Sequence, residues 1–285
     1  MKLGRGERGY AMIAAIIGVA AFSFIAFEFL AQDRGVLAEV RGEAEQAQLV
    51  AACNAGLYMA ISGLSTPDIT QRWGIDGRSR VVQFGGTTLV VTVEDERGKI
   101  PLNGIIEEEV RDMFTAAGVT SPQQLTTITD SFEDWQDSDN SARPAGAEAA
   151  AYASFGYKPR NAGFRTIGEL RMVRGMTDDI YARIAAATTV FFGESGGFSE
   201  STSQTLALQV LGEVAGNSPE VIERQKELAG QAAVPQTLAK VSLIGRTLTV
   251  RVEAHRGATY LKRTAIIEIT GSTAGLGYYW FRYLD

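Results

Sequence analysis

Scarcity sets the first limits. Cys53 is the only cysteine, so no intrachain disulfide can form. His255 is the only histidine, which removes multi-histidine metal centres and histidine-rich catalysis from a single chain. Basic charge is short as well: 27 Lys and Arg stand against 33 Asp and Glu, for a net charge of −6. A sequence-independent nucleic-acid binder would need the opposite balance. No convincing repeat and no low-complexity linker interrupts the chain. Charge of either sign is missing altogether from Tyr10 to Phe27, between Arg8 and Glu28.

That uncharged run has the length of a bilayer core when helical, at about 1.5 Å per residue across about 30 Å. A secretory signal would have a shorter apolar core and an A-x-A-like cleavage site; here the run passes through Phe29-Leu30-Ala31 into charge. An uncleaved anchor would hold Lys2, Arg5 and Arg8 inside and place the rest outside the cytoplasm. Arg8-Gly9 before an apolar helix also resembles the leader of type IV pilins and type II secretion pseudopilins. That resemblance implies cutting after Gly9 by a prepilin peptidase, leaving Tyr10 first and the helix in place. The fifth residue would then be Ala14, where most such subunits carry Glu; among pseudopilins this points to the minor subunit K at the tip. From this segment alone, plain anchor and pilin-type leader both stand. Loss of residues 1–9 would make the chain more acidic still, since three basic residues leave with Glu7.

Beyond the apolar run, Leu37, Val40, Ala44, Ala47, Ala51, Asn54, Tyr58 and Ile61 recur at steps of three and four. This predicts one amphipathic helix continuous with the first, Tyr10 to Ser62, weakened locally by Gly35, Gly42 and Gly56. The stripe is rich in Ala, which suits packing on a sheet. After Pro67 the period changes. Val81–Phe84, Gly85-Gly86 and Thr87–Val93 predict a β-hairpin. Strands return only at Leu248–Glu253, Thr264–Ile269 and Tyr278–Tyr283, the first two joined at His255-Arg-Gly-Ala. Between them Asn103–Gly118, Thr126–Trp135, Ile167–Arg171, Asp178–Ala187, Thr205–Ala215 and Pro219–Leu228 have helical character. The expected fold is α+β: a long N-terminal helix (10–62, with 10–30 in the membrane) on a small antiparallel sheet (63–98 and 235–285). A helical domain (99–234) is inserted in it, after a leader (1–9).

Several motifs are candidates for chemistry. Asp95–Asn103 reads as a strand-to-helix connection with Asn103 as the helix cap. Glu133, Asp134, Asp137 and Asp139 fall within seven residues, followed by Arg143-Pro-Ala-Gly-Ala-Glu148. Hard oxygen ligands on a loop after a helix suit Ca²⁺, though the spacing is not that of an EF-hand and a solvated acidic loop fits the same residues. Phe164–Ile184, with Leu-x-x-Val-x-Gly-Met in its middle, looks like a helix-hairpin-helix unit. Such a hinge could hold DNA phosphates with Arg171 and Arg174. The acidic balance and Asp178-Asp179 beside it favour a packing unit instead. Gly193-Glu-Ser-Gly-Gly197 matches a nucleophile elbow in form. No βαβ array precedes it and no Asp lies between Ser195 and His255, so neither residue is expected to be catalytic.

Taken in order, Arg8-Gly9 with its helix, Asp95–Asn103, Asp134-Trp-x-Asp-x-Asp139 with Arg143–Glu148, and Ile167–Met176 resemble the type II secretion minor pseudopilin K family. The resemblance implies a pilin-like domain carrying a SAM-like helical insert and no enzymatic activity. It implies an inner-membrane, single-pass protein with its C-terminal part in the periplasm, assembling with minor pseudopilins I and J at the pseudopilus tip. It also implies Ca²⁺ in the insert, with Glu133, Asp134, Asp137, Asp139 and Glu148 as the ligand set here. Two positions depart from the family: Pro101 stands where Asn is usual, and Asn140-Ser141 replaces an acidic stretch. A DNA-uptake tip pilin and an anchored periplasmic hydrolase are the rival readings.

Overall fold

The computed structural model describes residues 5–68, 70–193, 197–212, 242–270 and 278–285. The expected helix at Pro219–Leu228, the end of the one at Thr205–Ala215, and Ser195 lie outside them. The chain divides into two compact units, Met1–Ala52 and Cys53–Asp285.

The first unit is the first part of α1 (Arg5–Leu64), which runs unbroken through its glycines. Met12, Ile16, Phe22 and Phe27 are all more than half exposed. By length and apolarity alone, Glu39–Leu64 also passes as a membrane span, but half of its most apolar stretch is already buried in the protein. It also begins among Glu39, Arg41 and Glu43.

In the second unit the end of α1 lies on an antiparallel sheet. Strands β1 (Asp76–Phe84), β2 (Thr87–Asp95), β5 (Thr247–Arg256), β6 (Thr259–Thr270) and β7 (Tyr278–Leu284) are adjacent in that order. The architecture is α+β with a pilin-like helix on a sheet, as the sequence predicts. The β1–β2 turn uses Gly85 and Gly86 at φ +56° and +76°, the double left-handed geometry that matches strand twist. The β5–β6 turn is tighter than expected: both strands extend through the His255 region to Gly257, φ +58°. Alternation in β2 buries Leu89, Val91 and Val93 on one face, and their partners Ala254, Val252 and Val250 in β5 share it. Leu57, Ala60, Ile61 and Leu64 of α1 are buried too. Gly56 is where helix and sheet meet most closely: a Cβ there would stand 2.6 Å from Val252 Cγ1. The Cys53 thiol, buried on the same helix, points its sulfur at the Leu261 carbonyl, 3.6 Å away, and burial pushes its pKa up.

A second core belongs to the helical residues that follow β2. Helices α2 (Glu107–Ala116), α3 (Pro122–Gln136), α4 (Ala149–Tyr152), α5 (Asp178–Ile184) and α6 (Thr205–Leu211) surround Phe114, Phe132, Trp135, Phe164 and Leu170. Ser121 caps α3 with Pro122 in its first turn, and Thr177 caps α5. Asn103 does not cap α2, contrary to the sequence reading. Its side-chain amide instead bridges the N–H and C=O of Phe164, at 2.7 and 2.8 Å, and α2 starts four residues later, after Ile106, whose N–H donates to Glu109. Ile167–Met172 is a 3₁₀ turn rather than an α-helix, and the apolar Thr189–Phe192 stretch yields only the two-residue β4 (Thr188–Thr189) beside β3 (Ile100–Pro101).

The chain leaves β2 at Asp95 and re-enters the sheet at Thr247, and Asp95 pairs directly with Leu248. A buried charge network stands at this exit. Lys99 Nζ lies 2.6 Å from Glu96 Oε1 and 3.0 Å from Glu94 Oε2, and Glu96 also accepts from the hydroxyls of Thr249 and Thr189. Gly98 is packed so close to Thr202 that a Cβ would stand 2.7 Å from its carbonyl oxygen.

Candidate cation site

Helix α3 carries two consecutive carboxylates at its C-terminal end, and consecutive helical side chains diverge by roughly 100°. The two therefore have different fates. Asp134 is turned inward and is fully buried. Glu133 is turned toward α2 and lies 3.7 Å from Arg143 Nη2. The helix ends at Asp137, and the chain loops back over Asp134 before Glu148 starts α4. This return path is held by backbone amides. The Arg143 N–H donates to both Asp134 oxygens at 3.2 Å, and the Ala145 N–H donates to Asp130 Oδ2 at 3.0 Å. Gly146 is needed at the closest approach, because a Cβ there would overlap Asp134 Oδ2.

The result is a cluster of three carboxylates. Asp134, Asp137 and Glu148 each offer an oxygen within 4.8 Å of the other two. Glu148 is 6 % exposed, yet among the described residues no well-formed hydrogen bond reaches either of its carboxylate oxygens; Asp137 Oδ1 is buried and unpartnered among them as well. Buried polar atoms normally find a partner, and orphaned carboxylate oxygens that converge are a set of vacant hard-ligand positions. Burial pushes the Glu148 carboxyl up, and the neighbouring Asp137 and Asp134 push it further. Burial likewise raises Asp134 against the lowering effect of the Arg143 and Ala147 amides. Glu133 is raised by burial too, with Arg143 opposing.

Of the five residues singled out in the sequence, the structure therefore brings three together. Glu133 is spent on Arg143. Asp139 lies out on the loop, where it accepts from the Ser141 N–H at 2.7 Å. Sequence reasoning missed Asp130 and the guanidinium of Arg174, which holds the Gly146 carbonyl at 3.2 Å. Asp130 sits one helical turn before Asp134 on the same face, and that spacing is its only signal.

The helix-hairpin-helix stretch is a packing unit. Leu170, Val173 and Ile184 are buried in the helical core, and Gly175 supplies the hinge at φ +89°. Its arginines are exposed but taken up by neighbouring groups: Arg171 lies 4.1 Å over the Tyr181 ring, Arg174 holds Gly146, and Arg183 holds the Ala117 carbonyl and Asp179. His255 is on the sheet, stacked on Tyr260 and 3.5 Å from Glu253.

Residues 101–193, which include the whole cation cluster and the hinge, match the family "type II secretion system, protein K". Among solved structures, the chain is similar to a chain in the crystal structure of the GspK–GspI–GspJ complex of the type 2 secretion system of enterotoxigenic Escherichia coli. The two are 15 % identical with a TM-score of 0.64 over 87 % of this chain and 98 % of that one. No curated protein matches the chain. The family match and the shared fold bear out the resemblance to the protein K family.

Proposed function

We propose that this chain, a type II secretion minor pseudopilin of the K family, sits at the tip of the pseudopilus and assembles there with the minor pseudopilins I and J. The observation that carries this reading is the protein K match over residues 101–193 on a fold shared with a chain of the GspK–GspI–GspJ complex. The uncharged stretch Tyr10–Phe27 would anchor the subunit in the inner membrane after cleavage at Gly9, with the sheet and the 99–234 insert in the periplasm. Its role is one of assembly rather than catalysis: His255, the only histidine, is exposed and tied to Glu253 and Tyr260. The hinge arginines already pair with the Tyr181 ring, the Gly146 and Ala117 carbonyls and the carboxylates of Asp178 and Asp179, which speaks against the DNA-uptake rival. Co-expression with the I and J subunits of the same system tests the reading. A stable three-subunit complex is expected; elution of this chain alone overturns it.

The cluster of Asp134, Asp137 and Glu148 would hold Ca²⁺. Its unpartnered, converging oxygens fit a hard cation with flexible coordination, whereas Mg²⁺ demands near-octahedral geometry. The ion would supply the counter-charge that lets the buried Asp134 and Glu148 and the half-buried Asp137 stay ionised together, fastening the loop to α3. Mass action then stabilises the fold by about 2.7 kcal/mol at a hundredfold excess over Kd. The detergent-solubilised chain is expected to melt lower in chelator, to recover with Ca²⁺ and to recover poorly with Mg²⁺, with the difference lost in Asp137→Ala. Identical melting with and without chelator would show that the loop is merely solvated.

A further inference from the structure

We propose that Arg143 is a positioning residue of this cation site: anchored to Glu107 on α2, it holds the Asp134 carboxylate in place before the ion arrives. The inference rests on the cation reading above. Arg143 lies in the loop between two of the candidate ligands, Asp137 and Glu148. Its guanidinium reaches carboxylates on two helices: Glu107 at 3.0 Å, Glu133 at 3.7 Å and Asp134 at 3.8 Å. Its backbone N–H meets both Asp134 oxygens. Side chain and main chain of one residue thus clamp the loop to α2 and to α3 together.

Two effects of opposite sign meet here. A guanidinium beside a cation repels it, so its removal would tighten binding. A loop already in its bound geometry need not be ordered at the moment of binding, so its loss would weaken binding. The contacts decide in favour of the second. The closest pairing of the guanidinium is with Glu107, the side chain is 37 % exposed and therefore screened by water, and Asp134 is fully buried under the loop that Arg143 holds. Partners that orient ligands in this way cost roughly 10- to 100-fold in metal affinity when removed.

Calcium titration of the full-length, detergent-solubilised chain tests this. Arg143→Gln is expected to weaken Ca²⁺ binding by about tenfold or more. Arg143→Lys should weaken it too, because a single ammonium cannot fork between Glu107 and Glu133. Glu107→Gln changes an exposed residue outside the carboxylate cluster and is expected to weaken Ca²⁺ in the same direction, with the double variant Glu107→Gln/Arg143→Gln little worse than Arg143→Gln alone. Unchanged or tighter binding in Arg143→Gln overturns the inference and leaves the cation site standing. If that variant does not fold, Glu107→Gln decides: unchanged affinity there overturns the proposal, whatever the melting temperature does. Absence of Ca²⁺ binding in the wild-type chain removes the cation reading and this inference with it.

Discussion

Glu148 shows what single residues decide here. It is buried and its neighbours are like-charged, so without a cation burial first, and Asp137 and Asp134 after it, push its pKa up in the folded chain. Asp134 and Glu133 are shifted in the same direction. Raised folded-state values give a definite sign. The stabilising contribution of the bound protons is complete below the unfolded carboxylate range of about 4, and is lost as pH rises through the folded values. In chelator, folding stability from these groups should therefore increase as pH falls from 7 toward the unfolded carboxylate range of about 4, and Glu148→Gln should show a shallower increase than wild type. At pH 7 in chelator the variant should be the more stable, and with saturating Ca²⁺ the less stable. Urea unfolding at the two pH values checks this; parallel pH dependence in the two chains would refute it. The residue types and the 134–148 span were legible in the sequence. The division of labour between Glu133 and Asp134 was not, because it depends on which side of α3 the neighbouring α2 and Arg143 occupy.

Elements were legible where local chemistry alone decides them. Gly85-Gly86 between alternating strands dictates a tight hairpin, and the structure has it at that position. The start of α2 was misread because Asn103, an apt cap in isolation, is recruited by the backbone of Phe164 some sixty positions away. The hinge between Val173 and Asp178 was readable as a hinge, while its use in packing emerged only from the burial of Leu170, Val173 and Ile184 in the helical core. The exit from β2 is a further case. Glu96-Arg-Gly-Lys99 looks like a solvent turn and is in fact nearly buried, with Lys99 placed between Glu94 and Glu96. Removing one member of a buried pair strands the other, so Lys99→Met should cost about 3–5 kcal/mol. Denaturant unfolding of the full chain measures it; a loss of the size typical of exposed pairs, below about 1 kcal/mol, would mean that water reaches Glu96.

The whole molecule joins an exposed apolar helix segment to a unit with two cores, one under the sheet and one among the helices. Cleavage after Gly9 would determine where the mature chain starts. N-terminal sequencing of the protein extracted from membranes should begin at Tyr10; a start at Met1, or beyond Leu30, would end the pseudopilin assignment. The pairing of Asp95 with Leu248 carries a consequence of its own. Seen from the sheet, β2 and β5 are simply two arms of a hairpin whose connecting segment happens to be very long. Closure entropy rises only logarithmically with the length of such a segment, about 0.6 kcal/mol per doubling. A segment inserted at that point can grow, shrink or change its cargo of ligands while the strands beneath it keep their register.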